Sequence, residues 1–276
     1  MLNVILGADG LIGSALKRIL RENGEAVAGY DIKTGTDLRK TLPSVPTFAK
    51  APIFVWFLAW DVGGAKYIQN PDLQNRIMKH NMMLCANVFP WLEAHRLRFL
   101  FTGSQLAGSP GAYGRSKAVG AQWTRKLGGQ LAILWNVYDA APVSARSHVI
   151  PDMVSQALNG HIHLQTNGQE RRRFLYVDDC VEALIHMRDS RQSEAHICGN
   201  RLRTIEQVAK QVCRLTGAEL TLGSRMGSET AVTAEPRLAG WRPRTPLNDG
   251  LMAVIRQTQQ SVSMVSARTE RIEVSK

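Results

Sequence analysis

Long apolar runs, cysteine and acidic residues are all scarce in this chain. The longest uninterrupted apolar run, Ile53 to Trp60, is far below the roughly 20 residues that a bilayer-spanning helix requires. No membrane association is therefore expected. An apolar strand pattern begins at Leu2 and leaves no room for a charged leader and a cleavage site, so a cytoplasmic protein is expected. The four cysteines, Cys85, Cys180, Cys198 and Cys213, form neither a CxxC pair nor a zinc-site spacing. Too few for a disulfide framework at this size, they are expected as reduced thiols.

Acids number 23 against 34 Lys plus Arg, a formal charge of +11. A basic surplus of this size invites a nucleic-acid partner, because neutralising phosphates dominates such binding. Its distribution argues against one. Residues 1–138 hold 16 basic and 8 acidic residues, and residues 139–276 hold 18 and 15. Arg171, Arg172 and Arg173 form the one true basic run, with no zinc finger, helix-turn-helix or aromatic-interleaved basic repeat beside it. What is present is the material of an ordinary globule: 276 residues, 44% apolar and 21% charged, enough for one large domain or a domain with a small lobe.

The pattern along the chain alternates. Leu2–Leu6 reads as a strand, Leu11–Leu20 as a helix, Glu25–Tyr30 and Ile53–Leu58 as strands, and Gln74–Leu92 as a long helix. The strand Arg98–Thr102, the helix Ala112–Lys126 and the strand Leu131–Val137 follow. Strands alternating with helices predict an α/β fold, a Rossmann-type doubly wound parallel sheet, over residues 1–138. Beyond Tyr138 helices are expected at Ile150–Asn159, Asp178–Met187, Thr204–Leu215 and Leu247–Gln257, as a small substrate-binding lobe spanning 139–258. Residues 259–276 carry no apolar period and are expected to be a frayed tail.

Gly7-Ala8-Asp9-Gly10-Leu11-Ile12-Gly13 joins the first strand to the first helix. Gly7 can take the turn, Gly10 lets backbone approach a pyrophosphate, and Gly13 permits close helix packing, while the helix N-terminus attracts the phosphates. Asp31, at the end of the second strand, is placed to accept hydrogen bonds from ribose hydroxyls, and Asp9 adds negative charge near them. NAD(H) is thus expected over NADP(H), with Lys33 as the opposing feature. A plain turn-capping role for Asp31 is the alternative.

Tyr113 and Lys117 are four apart on one helix and share a face. A lysine ammonium beside a phenol lowers the phenol pKa and makes it a usable base near neutral pH. Ser104, ending the preceding strand, can hydrogen-bond the same substrate oxygen. Alone, YxxxK is common surface decoration; here it falls on the helix that follows the strand ending in Ser104.

At this point the chain resembles the extended short-chain dehydrogenase/reductases, the NAD-dependent epimerase/dehydratase enzymes of nucleotide sugars. The glycine turn, Tyr113 with Lys117, Asn136-Val137-Tyr138, the stretch Arg172 to Asp179 and the terminal Gly240-Trp241-Arg242-Pro243 match that family's landmarks in order. Val62-Gly63-Gly64, Asn81 with Asn87, and Ser147-His148-Val149-Ile150-Pro151 look most like its GDP-fucose synthase and GDP-mannose 3,5-epimerase branch. The resemblance implies that Ser104, Tyr113 and Lys117 form the hydride-transfer set and that His148 faces the sugar. It also implies cofactor contacts from the glycine turn (Gly7, Asp9, Gly10, Leu11, Ile12, Gly13), Asp31, Leu58, Ala59, Trp60 and Asn81, and substrate contacts from Val62, Gly63, Asn136 and Arg172. A homodimer built on Gln74–Leu92 and Ala112–Lys126 is implied as well.

Departures from the family narrow the chemistry. Epimerases acting at C3 or C5 place a proton-exchanging cysteine two residues after the serine, where this chain has Leu106. Dehydratases place an Asp-Glu pair where it has Gln105 and Leu106. Neither residue shuttles protons at neutral pH, which leaves hydride transfer at one carbinol carbon, C4, as a 4-epimerase or a 4-ketoreductase. Only eight residues separate Ser104 from Tyr113, a trimmed substrate wall. Ile133, Asp139 and Arg173 replace a usual arginine, glycine and acid. The rival from another class is a non-catalytic dinucleotide-binding regulator or RNA-binding member of the fold, supported by the +11 charge. His161 and His163 alternate on a predicted strand but lack further ligands nearby, so no metal is expected.

Overall fold

The computed structural model describes residues 1–44, 51–190, 192–227 and 234–273. Strands β1 (Leu2–Leu6), β2 (Ala26–Tyr30), β3 (Ile53–Phe57), β4 (Arg98–Ser104) and β5 (Gln130–Leu134) alternate with helices α1 (Leu11–Glu22), α2 (Ala65–Ile68), α3 (Gln74–Ala94) and α4 (Ala112–Lys126). Then come β6 (Asn136–Tyr138), α5 (Val149–Leu158), β7 (His161–His163), β8 (Arg171–Arg172), β9 (Phe174–Tyr176) and α6 (Val177–Asp189). The chain closes with β10 (Glu194–Ile197), β11 (Arg203–Thr204), α7 (Ile205–Thr216), β12 (Glu219–Thr221) and α8 (Leu247–Glu273).

The main sheet has the order β10-β5-β4-β3-β1-β2, and all its pairings are parallel. Central strands such as Ile53–Phe57 are apolar at successive positions because both faces are covered. α1 and α6 bury Leu16, Leu20, Leu184 and Met187 on one face. α3 and α4 cover the other with Val88, Phe89, Leu92 and Ala121. From β1 the chain moves outward to β2 and then returns to the other side at β3, so the order reverses between β1 and β3. In such sheets the crevice beyond the carboxyl ends of the reversing strands is where ligands bind.

A separate apolar core joins α5, α7 and α8 through Ile150, Val154, Val208, Val212, Leu251 and Val254. β10, from the later part of the chain, crosses back to edge the main sheet beside β5.

Two expectations change. The strand predicted over Leu131–Val137 divides at Trp135: β5 stays in the main sheet, whereas β6 leaves it to pair with β9. A tight turn from the Val137 N–H to the Trp135 carbonyl and the bond from Trp135 Nε1 to His196 Nδ1, 2.9 Å, mark the break. The tail expected to fray continues α8 as far as Glu273, and residues 274–276 lie outside the described residues. Apolar periodicity reports only helices that bury a face. This extension is carried by its own backbone, with Thr258, Ser261 and Ser263 returning their hydroxyls to carbonyls four residues back.

Candidate active site

The glycine turn is close-packed. Gly7 has φ +94°, and a Cβ there would sit 2.6 Å from the Ala59 nitrogen; a Cβ at Gly13 would lie 2.0 Å from the Gly7 carbonyl oxygen. Both positions therefore need glycine, and the end of β3 at Leu58 and Ala59 forms one wall of the turn. Gly10 caps α1 with extended backbone and no side-chain hydrogen bond, and no acid stands in the helix's first turn. The first N–H groups of α1, from Leu11 and Ile12, are thus left for an external anion at the positive end of the helix dipole. This cradle fits a dinucleotide pyrophosphate.

Asp31 lies against it. Its carboxylate accepts from the Asp9 N–H at 3.0 Å and the Lys33 N–H at 2.9 Å, and it caps the short 3₁₀ turn Ile32–Thr34. The turn-capping reading of Asp31 holds in this geometry, and each carboxylate oxygen keeps a second lone pair for a further donor. The Asp9 carboxylate is engaged by its neighbours. Lys17 Nζ lies 2.5 Å from its carboxylate, Thr34 donates to it at 3.2 Å, and Lys33 Nζ donates to its backbone carbonyl at 2.7 Å. The Lys17 hydrogen bond holds the Asp9 carboxyl below the usual range.

The structure brings Ser104, Tyr113 and Lys117 together. β4 ends in Ser104, the following loop doubles back on itself, and α4 starts at Ala112. That loop is pinned tightly: Leu106 N–H donates to Ser104 Oγ at 3.1 Å, Gly108 N–H to the Gly114 carbonyl at 3.0 Å, and a Cβ at Gly114 would meet Ser109 Oγ at 2.0 Å. Burial pushes the Tyr113 pKa up, and the neighbouring Ser104 hydroxyl offsets part of the rise. Lys117 is buried and donates to the Thr102 carbonyl at 2.6 Å, with Nζ 4.4 Å from the Trp60 ring centre, 4.7 Å from that of Phe101 and 6.0 Å from that of Tyr113. Burial drives its pKa down to about 7. In this geometry the lysine therefore does not hold the phenol low, contrary to the expectation from spacing. Trp60 Nε1 is buried without a hydrogen bond, and its ring packs on Phe57 and Phe101.

Asn81 is fully buried, and its amide is engaged by protein on every side. Oδ1 accepts from the Asp61 N–H at 2.7 Å, and Nδ2 donates to the Asp61 carbonyl at 3.2 Å and to Ser116 Oγ at 3.1 Å. These bonds tie Asn81 to the residue following the end of β3 and to α4. His148 stands half-buried as the cap of α5, beside Gly64, where an added Cβ would come within 3.3 Å of its Cα. Burial pushes the His148 pKa down against the opposing charge of Asp152. The Val62 carbonyl accepts from Arg146 Nη1 at 3.3 Å, and a Cβ at Gly63 would lie 2.9 Å from the Tyr67 Cβ. Asn136, on β6, and Arg172, on β8, belong to the lobe side; the Asn136 amide nitrogen is buried without a hydrogen bond, and burial lowers the Arg172 pKa.

Sequence reasoning missed Asp61. Its buried carboxylate is met by Tyr67 OH at 2.7 Å, His80 Nδ1 at 2.8 Å and Arg146 Nη1 at 2.8 Å. Burial pushes this carboxyl up, but the Tyr67 and His80 hydrogen bonds and the Arg146 charge outweigh it and leave it below the usual range. The available signal was a lone acid placed directly after the eight-residue apolar run.

A profile of the NAD dependent epimerase/dehydratase family matches residues 3–198. The chain belongs to this family. It is 25% identical over 296 residues to GDP-L-fucose synthase 1 of Arabidopsis thaliana, covering 90% of each. Its fold superimposes on UDP-glucose 4-epimerase of Thermotoga maritima bound to UDP-glucose, with TM-score 0.75, 20% identity, and 95% and 100% of the two chains covered. The UDP-glucose 4-epimerase of Thermus thermophilus in complex with NAD gives TM-score 0.72 at 18% identity, covering 93% and 98%. The two solved structures agree with the doubly wound fold.

Proposed function

We propose that this family member binds NAD(H) in preference to NADP(H) and transfers hydride at C4 of a nucleotide-diphosphate sugar, as a 4-epimerase or a 4-ketoreductase. The observation that carries the reading is the joining of Ser104, Tyr113 and Lys117 at the carboxyl end of β4, one strand from where the sheet order reverses. Bound NAD would supply hydride acceptance and return. The chain's own residues do the rest. Gly7, Gly10 and the start of α1 hold the pyrophosphate, and Asp31 takes the ribose hydroxyls on its remaining lone pairs. In the oxidative direction Tyr113, as the phenolate that a bound oxidised nicotinamide would favour against the burial raising its pKa, accepts the sugar hydroxyl proton while Ser104 holds the same oxygen.

Lys117 donates to the Thr102 carbonyl with Nζ 6.0 Å from the Tyr113 ring centre, and it carries full charge only below about pH 7. Leu106 offers only its backbone N–H to Ser104, and Gln105 is neutral, so neither adds the acid or base that water loss or C3/C5 exchange needs. This supports limiting the chemistry to one carbinol carbon.

Residues 139–258 serve, in this reading, as the substrate lobe, with Asn136 and Arg172 toward the diphosphate and His148 toward the sugar. Two copies would pair through α3 and α4, in the cytoplasm. Release and identification of the nucleotides that copurify with the protein tests the reading: a dinucleotide and a sugar nucleotide support it. Tight generic RNA binding at physiological salt with no sugar-nucleotide affinity would instead favour the non-catalytic rival.

A further inference from the structure

Asp61 stands where three parts of the chain meet. Its backbone is held at both ends by the Asn81 amide, which continues to Ser116, and Ser116 Oγ donates to the Tyr113 carbonyl at 2.9 Å. On this side Asp61 is joined to the first turns of the helix that carries Tyr113 and Lys117.

Its carboxylate faces the other way, toward the segment Ser144–His148 that leads into α5. Arg146 Nη1 approaches that carboxylate at 2.8 Å and also donates to the Val62 carbonyl at 3.3 Å, and its guanidinium lies 4.3 Å from the centre of the Tyr67 ring. The backbone repeats the contact. Gly64 N–H donates to the Arg146 carbonyl at 2.9 Å, and a Cβ at Gly64 would come within 2.0 Å of the Ser147 carbonyl oxygen. Tyr67 OH donates to Oδ1 and His80 Nδ1 meets Oδ2 of the carboxylate, and Arg76 donates to the Tyr67 hydroxyl at 2.7 Å.

One buried acid with an arginine from across the cleft is costly to place unless both ends of the pair are held, and here both are. We propose that Asp61 is a positioning residue that latches the 144–148 segment, and with it His148, to the helix bearing Tyr113. The half-exposed Arg146 is the outer half of the latch and the buried Asp61 the inner half. Resting on the nucleotide-sugar reading for its kinetic consequence, the latch sets how firmly the sugar end of the cleft is walled. It does not touch the reacting atoms.

The test uses the full chain with Asp61→Asn, Arg146→Gln and the double variant. Arg146→Gln, altered at the exposed end, keeps the test open if Asp61→Asn folds poorly. Amide exchange in 144–148 should accelerate about tenfold in each single variant, while β3 and α4 keep their protection, since local opening follows the contacts removed. The double variant should match the singles, because both remove one interaction. On a nucleotide sugar that the wild type turns over, KM should rise about tenfold with kcat changed less than about twofold, the signature of lost ground-state binding.

Unchanged exchange in 144–148, additive effects in the double variant, or a fall in kcat as large as the rise in KM overturns the latch. Failure of the nucleotide-sugar reading shows separately, as wild-type protein without turnover, and the exchange result then decides the latch alone.

Discussion

Lys117 Nζ lies 2.6 Å from the carbonyl oxygen of Thr102, buried between Trp60 and Phe101 and 6.0 Å from the ring centre of Tyr113, with which it shares a helix. Two aromatic faces and one carbonyl replace the water the ammonium would otherwise have. They do not replace it fully, which is why burial drives the lysine pKa down to about 7.

That depression has a consequence for stability. Below about pH 7 the lysine is charged in both folded and unfolded chains, and the folded state carries its desolvation cost. Between pH 7 and the ordinary lysine value the unfolded chain binds the extra proton, so folding becomes more favourable as pH rises. The stability of the wild type relative to Lys117→Met should therefore increase from about pH 7 to about pH 10 in urea titrations. A pH-independent difference would mean that the lysine keeps an ordinary pKa.

The glycine turn offers a steric test. A Cβ at Gly13 would stand 2.0 Å from the Gly7 carbonyl oxygen, and backbone on both sides prevents easy relief. Gly13→Ala should destabilise the protein by about 1–3 kcal/mol, the usual cost of overpacking, and weaken NADH binding, read by thermal denaturation and fluorescence titration respectively.

Arg188 and Glu25 supply a prediction away from the cleft. The Arg188 guanidinium is buried over Trp56, donates to Glu25 at 2.7 and 3.2 Å and reaches Asn3 Oδ1 at 3.2 Å. Arg188→Met should cost about 2 kcal/mol in urea unfolding, below the range for a fully buried pair because Glu25 is partly solvated. Burial raises the Glu25 carboxyl, yet the Arg188 and Asn3 hydrogen bonds outweigh it and leave its pKa lowered. This contribution is thus present above the ordinary glutamate value and fades as pH falls through the lowered one.

In the proposed reading, cofactor choice sets Asp31 against a pair of lysines. Asp31→Asn should weaken NADH binding about tenfold, the worth of a hydrogen bond to a charged acceptor, and narrow the gap to NADPH, because Lys17 and Lys33 flank the same corner. Wild-type protein that binds NADPH more tightly than NADH would overturn the role given to Asp31.

The elements that bury a face could be read directly. α4 occupies the predicted Ala112–Lys126, and β1, the glycine turn and α1 follow from a change of period at Gly7. Contacts between distant segments could not. Asp61 meets Tyr67, His80 and Arg146, residues that share no period with it, and Lys17 reaches Asp9 across two turns of helix. The direction of the Lys117 side chain was hidden for the same reason: four-residue spacing places two side chains on one face without deciding whether the nearer acceptor is the phenol or the Thr102 carbonyl. The break at Trp135 depends on His196 and on β9, which the local sequence does not contain.

The central claim is that Tyr113 moves the substrate proton during hydride transfer. Single-turnover absorbance of wild type and Tyr113→Phe, each loaded with NAD and offered a panel of nucleotide-diphosphate sugars, tests it most directly. The claim predicts NADH formation in the wild type on at least one sugar and a loss of about 100-fold or more in Tyr113→Phe, the scale of a general acid–base contribution, with NAD affinity and melting temperature preserved. Turnover by Tyr113→Phe at the wild-type rate would contradict it.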